Sequence, residues 1–362
     1  GRRRPAEAFL DWGRPRQALL TPDQLRSRLP LPKPLRRFVN ESRAQVAAIL
    51  GGEDDRLMAV VGPCSVHDPV AVREYAQKLR ELAEALREDV FVVMRSYLEK
   101  PRTSVGWRGI VSDPDLSGED DMERGIEVGR RVLLDVNAQV LPAALEFLDP
   151  LAAPYFEDLV TYGTLGARTV ESPTHRALAA SLPMPMGLKN APGGDVQSAV
   201  NAAVAASAPQ RRAAPDGSGR VRVVEAPGNP SAHVVLRGGS SGPNYDQESV
   251  ADAVRRLSKA GLGHRRVVVD CSHANSGKRH EGQLDSCRAV GAQVAGGSGA
   301  IAGVMVESFL RAGNQPLNPG VTKVSDLEYG LSVTDACMDF DTTRGLLQEL
   351  AAAVRSRRQA SG

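Results

Sequence analysis

The chain of 362 residues is long for one small domain, but it is within the range of α/β barrels that carry extensions. Its formal net charge of +2 argues against a nucleic-acid binder that works by bulk phosphate neutralisation. Its amino end lacks the apolar segment of a signal peptide, and no apolar run reaches the length of a membrane span, so we expect a cytoplasmic protein with reduced cysteines.

The two ends of the chain differ in character from its middle. The first fifty residues are rich in proline, arginine and leucine and contain one helix-like stretch, ESRAQVAAIL. We predict that residues 1–50 form an N-terminal arm outside the core. The final RSRRQASG is typical of a solvated end, so residues 356–362 are predicted to be a tail without structure.

Between these ends, short apolar runs alternate with helix-like segments such as DPVAVREYAQKLRELAEAL and ESVADAVRRLSKAGL. Eight runs are strand candidates, of which the third to fifth are weak. Eight βα units predict a (β/α)₈ TIM barrel over residues 51–355, with a variable insertion at 208–231 that forms a hairpin or loop. The eight runs are LMAVVG, VFVVMR, VLPAALEF, LGARTV, MPMGLK, AHVVLR, RRVVVDCSH and AIAGVMVES.

Charged and nucleophilic residues end these runs, and a barrel brings all strand ends to one mouth. Lys100 and Arg102 follow in the next loop. Any one cation alone is more often a solvated surface residue, but several that converge favour a polyanionic substrate with phosphate or carboxylate groups. The residues at the strand ends are Cys64, Arg95, Glu146, Arg168, Lys189, Arg237, Asp270 with His273, and Glu307.

Three of these strand ends form a mixed ligand set for a divalent transition metal: Cys64, His273 and Glu307. Asp335, just beyond the last barrel unit, is the best candidate for a fourth ligand. One thiolate with one imidazole and carboxylates is neither a closed structural zinc set nor an all-oxygen magnesium site. We expect a catalytic divalent ion, with manganese preferred and iron, cobalt or zinc as alternatives.

Nine strings along the chain together resemble the type I 3-deoxy-D-arabino-heptulosonate 7-phosphate (DAHP) synthases, from about residue 51 to the end. The strings are VVGPCSVHDPVA, MRSYLEKPRTSVGWRGIVSDP, EFLDP, GARTVES, GLKN, HVVLRGG, DCSHANSGK, GVMVESFL and SVTDAC.

The resemblance implies the same four metal ligands and two groups of substrate-binding residues. Ser104 departs mildly from the family's KPRTT but keeps a hydroxyl. The resemblance also implies homo-oligomers, dimers or tetramers. The residues implied for phosphoenolpyruvate are Arg95, Lys100, Arg168, Lys189 and Arg237, with Glu146 nearby, and those implied for the sugar phosphate are Pro101, Arg102, Thr103 and Ser104.

The implied reaction joins phosphoenolpyruvate, erythrose 4-phosphate and water into DAHP and phosphate, the first step of the shikimate pathway. The metal bound by residues such as Cys64 and His273 would polarise the aldehyde. Lys100 is the expected proton donor to the new alkoxide, because a lysine crowded by arginines should have a lowered pKa. Lys100 could instead act only as a phosphate clamp.

Two segments depart from the family pattern. After Asn190 the chain reads Ala191 to Asp195 instead of Gly-Thr-Asp-Gly, which leaves the acceptor aldehyde open, and Asp195 could replace the lost carboxylate. Residues 210–230 are polar and rich in glycine and proline, closer to a flexible loop than to the apolar effector-binding hairpin of the family. Together with Pro183 they predict a paralogue in which feedback inhibition by phenylalanine or tyrosine is weak or absent.

Two alternative functions remain open from the sequence. The enzyme could condense phosphoenolpyruvate with another acceptor, such as arabinose 5-phosphate, an amino sugar phosphate or an unphosphorylated aldehyde. The retained Arg102 and Thr103 favour a phosphorylated short aldose. A catalytically silent sugar-phosphate-binding regulator is the other alternative, which the intact set of metal ligands disfavours.

Overall fold

The computed structural model describes residues 17–102, 106–263 and 265–361. Within that part of the chain, eight parallel strands close into a barrel in the order β1-β2-β3-β4-β5-β8-β9-β10, and β6 and β7 form a separate two-stranded sheet. The predicted (β/α)₈ fold is confirmed. The strands are β1 Leu57–Gly62, β2 Val90–Arg95, β3 Ala143–Glu146, β4 Tyr162–Leu165, β5 Met186–Lys189, β6 Gln210–Pro215, β7 Val221–Ala226, β8 Ala232–Leu236, β9 Val267–Asp270 and β10 Ile301–Glu307.

Helices follow the barrel strands and cover their outer faces, so almost every barrel-strand residue is buried. Short 3₁₀ turns at Glu157–Leu159, His273–Ser276 and Val324–Asp326 complete the secondary structure of the described residues. The helices are α1 Pro22–Arg28, α2 Lys33–Gly51, α3 Pro69–Leu86, α4 Met122–Ala138, α5 Ala153–Phe156, α6 Pro173–Ser181, α7 Val196–Ser207, α8 Gln247–Lys259, α9 Gly282–Ala295 and α10 Phe340–Ser361.

Side-chain caps fix where the helices begin, directly after the loops at the barrel mouth. Asp68 accepts hydrogen bonds from the Val70 and Ala71 amides at the start of α3. Ser172 caps α6 and Asp246 caps α8 in the same manner. Each cap satisfies amides that have no partner within the helix, so the preceding loop is held at a defined angle to the sheet.

The amino-terminal segment reaches into the core, whereas we expected residues 1–50 to lie outside it. Helix α2 buries Val46, Ile49 and Leu50 completely, in one cluster with the inward-facing Met58 and Val60 of β1. These three apolar residues recur at helical spacing, so one face of α2 closes the barrel end opposite the mouth. Residues 1–16 lie outside the described part of the chain.

The fourth strand lies earlier than the sequence predicted. We assigned it to LGARTV, but β4 spans Tyr162–Leu165, and Arg168 belongs to the turn that follows. The sequence indicates this strand only weakly because it contains Gly163, where a Cβ would overlap the Met186 sulfur. Close packing between β4 and β5 therefore requires a glycine at a position where propensity alone disfavours a strand.

Residues 210–226 form a β-hairpin, not the flexible loop that their composition indicated. Strands β6 and β7 pair in antiparallel register from Gln210 with Ala226 to Pro215 with Val221. The Asp216 carboxylate accepts from the Ser218 and Arg220 amides and fixes the turn, in which Gly219 has φ 79°. The hairpin thus stays ordered without an apolar interior.

The carboxyl end is helical, so the prediction of an unstructured tail is wrong. Helix α10 continues to Ser361. Arg358 forms ion pairs of 2.6 Å with Asp55 and with Asp89, which holds the last turns of α10 against the barrel. No helix of the described residues has the length and apolar character that a membrane crossing needs.

Candidate active site

A cavity of about 500 Å³ opens at the carboxyl ends of the barrel strands. Cys64 and Lys189 lie just behind the wall of this cavity, where each contacts a side chain that lines it. Thr103 and Ser104 lie outside the described residues. The predicted site residues that line the cavity are Arg95, Lys100, Pro101, Arg102, Glu146, Arg168, Arg237, His273, Glu307 and Asp335.

Three of the four predicted metal ligands meet at one point of this cavity. Donor atoms of Cys64, Glu307 and Asp335 all lie within 4.8 Å of one another. They come from the loop after β1, the end of β10 and the loop before α10. A sulfur donor with two carboxylates suits a divalent transition ion better than magnesium or calcium, so the residues present fit such an ion.

The fourth predicted ligand, His273, faces the same point from the end of β9. Its Nε2 is 3.7 Å from Glu307 Oε1, and its Nδ1 is 3.0 Å from Asp270 Oδ2. Nδ1 also lies 2.8 Å from Ser272 Oγ, so Nε2 is the ring nitrogen on the side of the candidate ligands. His273 has φ 57°, a left-handed conformation that is uncommon for residues other than glycine.

Acidic groups surround Lys100, which overturns our expectation of a lowered pKa. Its Nζ is 2.8 Å from Cys64 Sγ and 2.8 Å from Asp335 Oδ2. Burial alone would lower the pKa of Lys100, but Cys64, Glu307 and Asp335 together hold it above the ordinary value. The sequence placed the arginines nearest to Lys100, whereas the fold places the candidate metal ligands there.

The pKa values of the two ligands next to Lys100 shift in opposite directions. Burial and the Glu307 carboxylate raise the pKa of the Cys64 thiol to about 11, although the Lys100 ammonium acts against them. Partial burial would raise the pKa of Asp335, but the Lys100 ammonium holds it below the ordinary value. A metal ion bound in the cluster would remove the proton of the Cys64 thiol, since a coordinated thiol is deprotonated.

Arg95 is a fully buried cation, and groups at the carboxyl ends of the strands accept hydrogen bonds from most of its donors. Its guanidinium donates to the carbonyls of Pro63 and Cys64 at 3.1 Å and forms a 3.1 Å ion pair with Glu307. Lys189 is buried likewise and pairs with Asp270 at 2.9 Å. Buried cations require partners of opposite charge, and Glu307, the partner of Arg95, is also one of the candidate metal ligands.

Glu146 and Arg168 line the opposite side of the cavity. Glu146 is buried, and its Oε1 has no hydrogen-bond partner among the described residues. Gly166 lies so close that a Cβ there would overlap this oxygen. A buried carboxylate oxygen without a partner calls for a hydrogen-bond donor, which a water or a substrate group would supply.

Sequence reasoning missed three residues of this site. Asp270 was recognised only as a strand end, although it contacts both Lys189 and His273. Glu99 and Tyr97 also line the cavity, within the string SYLEKPR, of which the sequence pattern selects only Lys100, Pro101 and Arg102. Burial and the Asp149 carboxylate raise the pKa of Glu99 to about 7. Their position directly after a strand end was the signal that could have identified them.

The altered loop after Lys189 lies at the rim, but Asp195 does not replace a substrate-binding carboxylate. Its side chain accepts from the Gln197 and Ser198 amides at 3.0 and 3.1 Å and begins α7. Pro192 lines the cavity instead, and its carbonyl accepts from the Ser240 amide at 3.0 Å. Asp195 lies one position later than the carboxylate of the family pattern. Because it caps α7 there, its side chain does not serve the mouth of the barrel.

Known proteins of one family resemble this chain over nearly its whole length. The family model described as the DAHP synthetase I family matches residues 37–348. The phospho-2-dehydro-3-deoxyheptonate aldolase of Corynebacterium glutamicum is 46% identical over 346 residues, which is 95% of this chain and 93% of that protein.

The Phe-sensitive phospho-2-dehydro-3-deoxyheptonate aldolase of Escherichia coli K12 is 45% identical over 340 residues, which is 94% of this chain and 95% of that protein. The solved structure of the phospho-2-dehydro-3-deoxyheptonate aldolase from Francisella tularensis SCHU S4 superposes with a TM-score of 0.92 at 43% identity. The match covers 95% of this chain and 99% of the Francisella tularensis chain.

Proposed function

The chain belongs to the DAHP synthetase I family, and we propose that the cavity residues described above perform this family's condensation. The reaction joins phosphoenolpyruvate with erythrose 4-phosphate and water into DAHP and phosphate, the first step of aromatic biosynthesis. One observation carries the residue assignment. The donor atoms of Cys64, Glu307 and Asp335 meet in the cavity that is lined by Arg95, Arg168 and the other predicted cations.

Cys64, His273, Glu307 and Asp335 would hold the divalent ion, for which manganese is our first choice. When bound there, the ion supplies Lewis-acid polarisation of the aldehyde oxygen. The arrangement of these side chains supports the assignment because it combines sulfur, imidazole and carboxylate donors at one point. The choice of metal rests on donor chemistry alone.

Four cations, of which Arg95 and Lys189 are buried, would bind phosphoenolpyruvate, whose carboxylate and phosphate match planar guanidinium donors. Arg95 and Lys189 approach from the β2 and β5 ends, and Arg168 and Arg237 complete the set. Arg102, with Thr103 and Ser104 in the same loop, would bind the phosphate of the acceptor. Fixing both phosphorylated substrates in one cavity brings the nucleophilic carbon against the aldehyde carbon, which lowers the entropic part of the barrier.

Two residues would handle protons and water. We assign Lys100 as the donor to the new alkoxide oxygen because its ammonium lines the cavity 2.8 Å from the Asp335 carboxylate, beside the candidate metal ligands. Glu146, with one carboxylate oxygen left without a partner among the described residues, would orient the water that adds to carbon 2 of phosphoenolpyruvate. Phosphate then leaves with cleavage of its carbon–oxygen bond, and carbon 2 becomes a ketone.

We also infer that the protein forms homo-oligomers and that hairpin β6–β7 contributes to the interface. Val221 and Val223 project from the same face of β7, and each is more than 70% exposed. Exposed apolar side chains at i and i+2 of a strand favour burial against another chain. Light scattering on the wild type and on Val223→Lys tests this, because a monomer in both cases contradicts the inference.

The central experiment measures turnover of the purified protein with manganese, phosphoenolpyruvate and erythrose 4-phosphate. Loss of the enolate absorbance and release of phosphate are followed together. We expect turnover by the wild type and by Cys287→Ala, a buried cysteine outside the cavity, and none by Cys64→Ala. A wild type that binds metal and phosphoenolpyruvate but releases no phosphate would contradict the proposed acceptor and direct the search to other aldehydes.

A further inference from the structure

Tyr97 has its ring in the wall of the reaction cavity, two residues beyond the end of β2. Its side chain is 1% exposed. The Arg95 guanidinium carbon lies 3.6 Å from the ring centroid, and the Lys189 ammonium nitrogen lies 5.7 Å from it. One aromatic ring therefore contacts two of the buried cations of the site.

The barrel fixes the orientation of this ring before any substrate enters. The Tyr97 hydroxyl lies 2.7 Å from Thr164 Oγ1 on β4 and 3.7 Å from Met305 Sδ on β10. The Tyr97 carbonyl accepts from the Val66 amide, in the loop after β1, at 2.8 Å. Both the phenol and the backbone are thus held by other strands and loops, so the ring is a rigid element of the cavity.

We propose that Tyr97 is a positioning residue for phosphoenolpyruvate, and that its ring holds Arg95 and Lys189 at a fixed separation. The negative face of an aromatic ring attracts each cation, most strongly where water is excluded. Arg95 also pairs with Glu307, and Lys189 pairs with Asp270, so each cation has its own carboxylate. The ring of Tyr97 is a contact that both cations share.

This inference rests on the proposed function, in which Arg95 and Lys189 bind the anionic groups of phosphoenolpyruvate. Two like charges repel each other at short range, and their separation sets which pairs of anionic groups they match. A ring that spaces them therefore selects a substrate with two anionic groups at the corresponding distance. Arg95 and Lys189 are both assigned to phosphoenolpyruvate, so the effect is expected on the binding of that substrate.

The test separates positioning from simple packing in the metal-loaded, full-length enzyme. Tyr97→Leu removes the ring, and Tyr97→Phe keeps the ring but removes the hydroxyl. We expect Tyr97→Leu to raise KM for phosphoenolpyruvate at least about tenfold, from the loss of a desolvated cation–π contact, with a much smaller change for erythrose 4-phosphate. Tyr97→Phe should recover most of the loss.

A fluorination series keeps the test valid if Tyr97→Leu fails to fold. Phenylalanine analogues with one to five ring fluorines at position 97 preserve the ring shape while they weaken its negative face. KM for phosphoenolpyruvate should rise steadily with the number of fluorines. A flat series overturns the proposal, as does an equal rise of KM for both substrates in Tyr97→Leu, or a loss in Tyr97→Phe as large as in Tyr97→Leu.

Tyr75→Leu is the matched control for losing a buried tyrosine ring. Tyr75 is fully buried, donates to Ser308 at 2.9 Å and does not line the cavity. Its loss should lower the unfolding temperature without a selective effect on phosphoenolpyruvate. Calorimetric titration of phosphoenolpyruvate into the same variants without the acceptor measures the positioning effect directly, so it remains informative even if the wild type fails to turn over and the proposed function falls.

Discussion

The Lys100 ammonium nitrogen lies 2.8 Å from the Cys64 sulfur, so the loop after β2 places a cation among the candidate metal ligands. Asp335, from the loop before α10, contacts the same nitrogen. The fold thereby joins the proposed proton donor to two of the proposed ligands. Metal binding and proton transfer are expected to depend on each other, because both use one buried cluster of charge.

Removing the Cys64 sulfur should abolish tight metal binding. Cys64→Ala takes away the sulfur donor of the Cys64, Glu307 and Asp335 group, and we expect manganese affinity to fall at least about 100-fold. Titration calorimetry with the metal-free protein measures this. Cys287→Ala, also buried but outside the cavity, should bind manganese as the wild type does, and an equal loss in both variants would argue for a folding defect.

Asp270→Asn should weaken metal binding without removing a ligand. Asp270 Oδ2 lies 3.0 Å from His273 Nδ1 and orients the imidazole toward Glu307. Loss of such a supporting carboxylate typically costs about 10–100-fold in metal affinity. The same titration, with Asp246→Asn at a distant helix cap as the control, checks the result. Unchanged manganese affinity would show that Asp270 stabilises only Lys189 and has no part in metal binding.

Glu99 should make the protein less stable as the pH rises through neutrality. Burial and the carboxylates of Asp149 and Glu146 raise the pKa of Glu99 to about 7, against an ordinary value of 4.5. Between these values the folded state binds the proton and the unfolded chain does not, so this contribution to stability is present below pH 4.5 and lost as pH rises through about 7. Arg108, on the neighbouring loop, acts in the opposite direction.

Glu99→Gln should therefore unfold at higher denaturant concentration than the wild type above pH 7. The gain should reach at most about 3 kcal/mol and vanish near pH 4. Urea unfolding across this pH range measures it. Glu88→Gln, at a highly exposed glutamate, should show no such trend. A gain independent of pH would mean that Glu99 titrates normally.

Asp195→Ala should lower the free energy of unfolding and leave KM for erythrose 4-phosphate unchanged. The side chain caps α7 through the Gln197 and Ser198 amides, and losing such a cap costs about 1 kcal/mol. Asp195→Asn should retain most of this stability. Urea unfolding and KM for erythrose 4-phosphate are measured together. A rise in that KM would reinstate Asp195 as a substrate-binding residue.

Phenylalanine and tyrosine should not inhibit the enzyme. Hairpin β6–β7 lacks aromatic residues, and Arg212 on it donates to Ser181 Oγ at 3.1 Å, which places a guanidinium at the end of α6, just before Pro183 in the chain. At millimolar concentration either amino acid should change the rate by less than about twofold, below the coupling typical of an effector. Stronger inhibition at sub-millimolar concentration would contradict this.

The sequence alone determined the barrel and the composition of its mouth. Continuous apolar runs such as those of β1 and β10 can be buried on both faces only in a parallel sheet covered by helices. The residues that end them then share one rim. Hence Cys64, Arg95 and Glu307 could be assigned to one site from their order in the chain, and their side chains do meet there.

Only the tertiary structure decided what each charge contacts. Crowding by arginines predicted a lowered pKa for Lys100, but its actual neighbours are Cys64 and Asp335, which are 36 and 235 positions away along the chain. The sequence placed Asp195 next to the barrel mouth, yet its carboxylate caps the start of α7 instead. Electrostatic effects fall off over a few ångströms, whereas sequence order fixes positions only to the level of a strand end. The pairing of Tyr97 with Arg95 and Lys189 likewise required the closed barrel.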